Sequence, residues 1–451
     1  MGTDRLAALP PVREVPAEQV REALVGTPTV VVLDDDPTGT QTVRDLPVLT
    51  RWTADDVDWA LAQGTPAFFV LTNTRSLGPD DAAARTREVV RTCLAVAGRR
   101  GMDVVFASRS DSTLRGHFPL ETDVIARAAG APDAVILAPA FPDAGRVTLD
   151  GVHWLRDGDR LTPVADSEFA ADATFGYRSS RLATWVAEKS GGAIPAADVA
   201  EVGIEELRDG EVTLPRSRVI VLDAVVDDDL RAAVLAILAA ERAGARYVYR
   251  VGPSFVRARA GQGAQPPLDD AELSRTVARG HGLLVAGSHV GRTSRQLERL
   301  AARRDLAHVE LDVAAVLEGA PLDEITADAV DALKRRTTLV STSRTLVTGR
   351  DEAESLAIAR RVSAALTGVV RQVVHAAEPA YVLAKGGITS SDVATESLRA
   401  DRAWVRGSML PGLVSLWAPT SGPPLVVFPG NVGDDEALAD VVDRLEEAAC
   451  A

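Results

Sequence analysis

The sequence predicts an α/β protein of two α/β lobes with mainly parallel sheets and an active-site cleft between the lobes. Three observations carry this expectation. Short apolar runs alternate with helical segments along the 451-residue chain, as in successive βαβ units. A Pro/Gly-rich break, GQGAQPPLDD at 261–270, separates two such series. Polar, charged and glycine residues cluster directly after the apolar runs, where parallel sheets present their ligands.

Taken in order, residues 1–27 read as an N-terminal extension, charged throughout and without the continuous apolar core of a signal peptide. A first domain follows over 28–265. Its strands are TVVVL (29–33), AFFVLTN (67–73), DVVFAS (103–108), DAVILAPA (133–140) and SRVIVLDA (217–224). PDDAAARTREVVRTCLAVAGRRG (79–101) has acids at its start, helical spacing and a closing glycine, which predicts a helix. LRAAVLAILAA, from Leu230, is about half the length a membrane span needs and reads as a packed helix. Residues 151–190 break the alternation with polar and aromatic residues, as a functional loop or an extension would. A second domain over 275–451 carries GLLVAGSHV, HVELDV, TTLVSTS, AYVLAKGG and LVVFPGNVG.

The composition, 46% hydrophobic and 25% charged, is that of a folded globular chain. A net charge of -15 argues against non-specific binding to nucleic acid or anionic membranes, so an anionic ligand needs a local basic cluster. Two cysteines, Cys93 and Cys450, suggest neither a disulfide framework nor a thiolate metal site, and fit a reducing cytoplasm. The six histidines lack zinc-ligand spacing. No P-loop, protein-kinase signature or nucleophile elbow occurs.

The chemistry concentrates in a few stretches. VVVLDDDPTGTQTV (30–43) ends a strand in Asp34, Asp35 and Asp36, a pattern open to two readings. In one, Asp34 attacks phosphorus and Asp36 handles protons, as in an aspartyl phosphatase; in the other, an aspartate binds and activates a substrate hydroxyl. ASRSDSTLRGHFPLE (107–121) places Arg109, Ser110, Asp111, Ser112 and Arg115 after a strand, where guanidiniums can fork onto carboxylate or phosphate oxygens. LTNTRSLG adds Arg75, and LAPAFPDAGRVTLDG adds Asp143, Gly145 and Arg146 on a turn that is either structural or a binding loop. In the second half, AGSHVGRTSRQLERL, LAKGGITSSDVATESL and VVFPGNVGDDEAL are three glycine-rich strand-to-helix turns, which together favour a nucleotide.

These motifs occur in the order found in the four-carbon acid sugar kinases, a two-domain family that the chain resembles over most of its length. DDPTGTQTV, RSDSTLRGH and PAFPDAGRVTLDG resemble the substrate-side motifs of the family; GSHVGRTSRQ, KGGITSSDVA and PGNVGDDEAL resemble its nucleotide-binding turns. Pro37 stands where the family usually has an aromatic residue and Arg109 where it usually has lysine, which bears on the choice of sugar. The resemblance implies a sugar-acid-binding first domain, with Asp36, Arg75, Arg109, Ser110, Asp111 and Ser112 on the acid. It implies a nucleotide-binding second domain, with Ser288, Gly386, Gly387, Ile388, Thr389 and Gly430 on ATP.

The expected reaction is transfer of the ATP γ-phosphoryl group to a hydroxyl of a small sugar acid. Arg75, Arg109 and Arg115 are expected to hold the carboxylate, and Asp36 or Asp111 to orient and deprotonate the hydroxyl, Asp36 first. Mg2+ would bridge the phosphates without a dedicated protein cage, so no metal-ligating residue is assigned. The expected partners are the sugar acid and ATP, with neither nucleic acid nor membrane, and with homo-oligomerisation left open. Two rivals stay open here: the aspartyl phosphatase, and a ligand-binding homologue without transfer activity.

Overall fold

Alternating apolar runs and amphipathic helices build parallel strands connected by crossovers, and the chain folds twice in this way. The computed structural model describes residues 4–450 except 159, 211, 288–290, 345, 346, 348 and 351. It divides into two compact units at Gln265/Pro266.

The first unit contains β1 (Thr29–Asp34), β2 (Leu46–Leu49), β3 (Ala67–Leu71), β4 (Val104–Arg109), β5 (Ala134–Ala138), β6 (Arg146–Leu149), β7 (Val152–Asp157), β8 (Arg160–Pro163), β9 (Val199–Val202), β10 (Val219–Leu222) and β11 (Tyr247–Val251). Eight of these pair in the order β2-β3-β1-β4-β11-β5-β10-β9, and every neighbouring pair is parallel. From β1 the chain builds toward one side through β2 and β3, then crosses to β4 and builds toward the other. The order therefore reverses at the β1–β4 pair, which opens a crevice at the carboxyl ends of these strands.

The helix Pro79–Arg100 follows the sequence reading closely: Asp80 and Asp81 lie in its first turn, and Gly101 closes it at φ 64°. Its buried face, Val89, Val90, Cys93 and Val96, packs against β-strand residues Val31, Phe68, Val70 and Phe106 in one core cluster. The apolar segment around Leu230 is the helix Asp227–Arg242 with its apolar side buried. No helix among the described residues is long and apolar enough to cross a membrane.

The strands β6, β7 and β8 form a separate antiparallel sheet, so much of the irregular 151–190 stretch is structured. The stretch ends in the helix Leu182–Lys189, whose Trp185 is fully buried and stacks on Phe118 with ring centroids 4.8 Å apart. The N-terminal segment lies against the same unit: Arg13 donates to the Gly210 carbonyl at 3.1 Å, and the Val15 amide donates to Asp228 at 2.8 Å.

The second unit contains β12 (Gly282–Ala286), β13 (Ala307–Leu311), β14 (Thr338–Thr342), β15 (Tyr381–Lys385), β16 (Arg402–Leu410), β17 (Val414–Pro419) and β18 (Leu425–Phe428). They run β13-β14-β12-β15-β18-β17-β16. The first five are parallel, and β17 pairs antiparallel with both β18 and β16. Here the order reverses at β12 and β15. The carboxyl-terminal helix Ala437–Cys450 buries Leu438, Val441, Val442 and Leu445 in the core of this unit.

Trp185→Ala should destabilise the first unit by about 3–5 kcal/mol through the cavity it leaves. Urea unfolding followed by far-UV circular dichroism checks this.

Candidate functional site

In the first unit the polar motifs meet at the reversal crevice because of strand register. Asp34, the last residue of β1, lies directly beside Arg109, the last residue of β4. The two side chains form an ion pair, Nη2 to Oδ1, at 1% and 3% exposure. The same nitrogen reaches the Asp36 carbonyl at 2.5 Å and Asp35 Oδ1 at 3.4 Å. The Arg109 guanidinium lies where a side chain at residue 39 would start, so Gly39 is required for this approach.

Arg75, after β3, forks onto Asp35, Nη2 to Oδ1 at 2.6 Å and Nε to Oδ2 at 3.1 Å, with Nη1 3.5 Å from Asp36 Oδ2. Burial pushes the Asp35 carboxyl up to about 7 against the opposing pull of Arg75. Asp36 is the most open of the three aspartates, its side chain 22% exposed. It caps the turn Pro37–Thr42 by accepting from the Thr38 amide at 2.8 Å.

The loop after β4 is held from within. Asp111 accepts from Arg115 Nε at 2.6 Å and from the Thr113 amide at 3.2 Å, and the Thr113 hydroxyl also donates to it. Burial opposes its charge, yet Arg75, Arg115 and these hydrogen bonds hold its carboxyl well below the usual carboxylate range. Arg115 also reaches Asp172 at 3.5 Å. Ser110 and Ser112 are buried, and the Ser110 amide donates to the Val251 carbonyl at 3.0 Å. The structure thus brings together Asp36, Arg75, Arg109, Ser110, Asp111, Ser112 and Arg115 in one unit, and gives Arg75, Arg109 and Arg115 an aspartate partner each.

Several participants escape sequence reasoning. Glu121, in the first turn of the helix Leu120–Ala129, is buried and accepts from Ser108 Oγ at 2.7 Å and Thr74 Oγ1 at 2.6 Å. Arg250 comes from β11, a strand whose short YVYRV run with a charge inside it conceals its buried position. Its Nη2 donates to the Arg115 carbonyl at 3.2 Å. His153, on β7, supports the loop from behind: Nε2–H donates to the Ser112 carbonyl at 2.7 Å, and Nδ1 accepts from the Thr148 hydroxyl at 3.0 Å. Tyr177 donates to the Thr113 carbonyl at 2.7 Å. The 151–190 stretch is therefore the wall behind the motif.

In the second unit the glycine turns converge for the same topological reason. The chain leaves β12, β15 and β18 at neighbouring points because these strands are neighbours. A side chain at Gly287 would meet Thr389 Oγ1 at 3.0 Å and Leu366 at 3.1 Å, and Gly386 adopts φ 111° as it enters the short helix Gly387–Asp392. Gly386 N–H donates to the Phe428 carbonyl at 2.8 Å, and Thr293 Oγ1 to the Gly430 carbonyl at 3.3 Å. Ile388 is 66% exposed, large for an apolar side chain. Gly386, Gly387, Ile388, Thr389 and Gly430 thus belong to adjoining turns, while Ser288 lies outside the described residues.

Lys385 donates to the Pro429 carbonyl at 2.5 Å over the Phe428 ring, and burial with the Arg292 charge pushes its ammonium down to about 7. It ties the second and third turns together. Arg292 donates to the Asn431 and Gly433 carbonyls at 2.8 and 3.2 Å. This close-packed glycine cradle fits the backbone approach of a phosphate chain. Among the described residues no group of three His, Cys, Asp or Glu side chains could hold a metal ion.

Comparison with known proteins matches residues 30–259 to the family model of a sugar-binding N-terminal domain and residues 283–438 to that of a nucleotide-binding C-terminal domain. The chain belongs to the two-domain four-carbon acid sugar kinase family. Its relatives include the D-threonate kinase of Bordetella bronchiseptica, 28% identical over 438 residues, which cover 94% of this chain and 99% of the relative. They also include the D-erythronate kinase of Heliobacterium modesticaldum, 29% identical over 168 residues, 36% of each chain. Among solved structures, a Haemophilus influenzae protein superposes with TM-score 0.63 and a Salmonella typhimurium protein with 0.65. Each is 17% identical and covers 92% of this chain, and 100% and 98% of its own length respectively. That likeness shows a shared fold.

Two outcomes follow from the buried charges. Arg109→Met should cost about 3–5 kcal/mol by stranding Asp34, read as a lower urea midpoint at pH 7. Burial, with Arg146 nearby, pushes His153 down to about 4 from an ordinary 6.5 despite its bond to Ser112 and the Asp111 charge. A depressed histidine stabilises the fold fully above pH 6.5, and the contribution drains away as pH falls toward 4, by roughly 3 kcal/mol in all. His153→Gln should flatten the fall in urea midpoint between pH 7 and pH 4.5 relative to wild type; parallel slopes would refute the assignment.

Proposed function

We propose that this protein is an ATP-dependent kinase that transfers the γ-phosphoryl group to a hydroxyl of a four-carbon sugar acid, a tetronate or 3-oxo-tetronate. The observation that carries the reading is the 28% identity with D-threonate kinase along nearly the whole of both chains. The pairing of an acid- and guanidinium-rich crevice in one unit with a glycine cradle in the other supports it.

Asp36 is the residue assigned to orient and deprotonate the attacking hydroxyl. Its carboxylate is partly open, whereas Asp34 is enclosed by Arg109 and Asp35 by Arg75. Asp111, held far below the usual range, makes a weak base and a good fixed acceptor for a second hydroxyl. Ser110 and Ser112 contribute polar contacts to the acid; Arg75, Arg109 and Arg115, expected from the sequence to hold its carboxylate, are each paired with an aspartate and are assigned here to fixing those aspartates in place. Ser288, Gly386, Gly387, Ile388, Thr389 and Gly430 would hold ATP, with Ile388 offering an apolar surface to the base. ATP supplies the phosphoryl group and Mg2+ neutralises its charge; no protein cage for the ion is part of this reading.

The phosphatase reading needs Asp34 Oδ oxygens that reach a phosphorus. A carboxylate 1% exposed and paired with a buried guanidinium is poorly placed for that.

Purified protein incubated with Mg-ATP and the stereoisomeric tetronates should form ADP and a tetronate phosphate of matching mass. Asp36→Asn should lower turnover by about 100-fold or more while leaving ATP affinity unchanged. Loss of nucleotide binding in that variant, or ADP formation without phosphorylated acid, would overturn the proposal.

A further inference from the structure

The guanidiniums nearest the substrate motifs are already committed within the protein. Arg75 is forked on Asp35, Arg109 on Asp34, and Arg115 on Asp111 and Asp172. A sugar carboxylate recruited to any of them would compete with a preformed ion pair. Two arginines in the vicinity make no ion pair among the described residues. Arg250 is 3% exposed, and its charge faces Glu121, Asp35 and Asp111, not a solute. Arg146 is only half-buried, its Nε enclosed and the rest of the residue partly open.

Arg146 is also held still. Phe141 and Arg146 exchange backbone hydrogen bonds at 2.8 and 3.0 Å, and Arg146 pairs with Leu155 across β6 and β7. Gly145 precedes it at φ 71°, where a side chain would collide with the Arg156 carbonyl. Nη1 donates to the Ala144 carbonyl, but Nε is buried with no hydrogen-bond partner. An unanswered N–H on a fixed cation is costly unless a ligand answers it. Arg146 lies two residues before Thr148 on β6 and so shares its face of the strand; Thr148 bonds His153, which in turn holds the Ser112 carbonyl, so this face backs the loop that carries Asp111 and Ser112.

We propose that Arg146 is the residue that recognises the substrate carboxylate, and so sets the preference for a sugar acid over a neutral sugar. This rests on the kinase reading above and adds to it the side chain that selects the acid. A carboxylate offers two acceptors and a charge that neutralises the guanidinium, whereas an amide or a polyol hydroxyl offers a single neutral acceptor. The other anion available to Arg146 is the transferred phosphoryl group. That role would weaken all acceptors equally, so the two are separable.

The test titrates the full-length protein calorimetrically with D-threonate, D-erythronate and their primary amides, and follows ATP-dependent turnover in parallel. For Arg146→Gln, the Kd and KM for the acids should rise on the order of 100-fold. Values for the amides should stay within about threefold, the fold should be unchanged by circular dichroism, and guanidinium chloride at millimolar concentration should restore part of the loss. Arg146→Lys, which keeps the charge without the fork, should be intermediate and serves if the glutamine variant fails to fold.

An equal loss for acids and amides, or unchanged acid affinity, would overturn the proposal while leaving wild-type kinase activity intact. Arg146-dependent acid binding without any phosphorylated product would instead overturn the kinase reading and support the role of Arg146. If wild-type protein binds none of the acids, both fail.

Discussion

The buried Asp34–Arg109 pair is the constraint around which the first unit is arranged. Two opposite charges are removed from water at the ends of adjacent strands, and neither could be buried alone at tolerable cost. Their partnership requires the β1–β4 register, a glycine at 39 where the guanidinium passes, and the Asp36 carbonyl as a further acceptor. Once that pair is in place, Asp35 is turned toward Arg75 and Asp36 is left at the rim. The three consecutive aspartates thus acquire three environments from one strand end: sealed, bridged and open.

Three aspartates after an apolar run are conspicuous in the sequence, but their separate environments depend on partners far away in the chain. The alternation of runs made most parallel strands and the Pro79–Arg100 helix legible, since continuous apolar stretches and a capped amphipathic helix are local signals. The antiparallel β16 and β17 and the small β6-β7-β8 sheet were not, because their alternating or mixed residues make sense only against a partner strand. β11 was hidden for the same reason. Arg109, Asp111 and the glycine turns could be named from their neighbours in sequence. Their pairings could not, because the fork of Arg75 on Asp35 and the support of Ser112 by His153 depend on register and on distant segments.

The second unit solves a different problem. A phosphate chain asks for backbone amides at close range, and the adjoining turns after β15 and β18 need an internal tie to keep that spacing. Lys385 supplies the tie through the Pro429 carbonyl, and Arg292 and Gln296 anchor the last turn through its carbonyl groups. Its burial over Phe428 makes Lys385 part of the scaffold.

The position of β11 has a consequence for biosynthesis. It is the last strand of the first unit to leave the ribosome, yet it inserts between β4 and β5, both made much earlier. A nascent chain lacking it would expose the flanks of both strands and leave the loop after β4 without the Val251 carbonyl that anchors it. Completion of the crevice at the β1–β4 pair is therefore tied to the end of translation of its own unit, and chains stalled before Tyr247 present unpaired strand edges of the kind that chaperones shield and aggregates recruit.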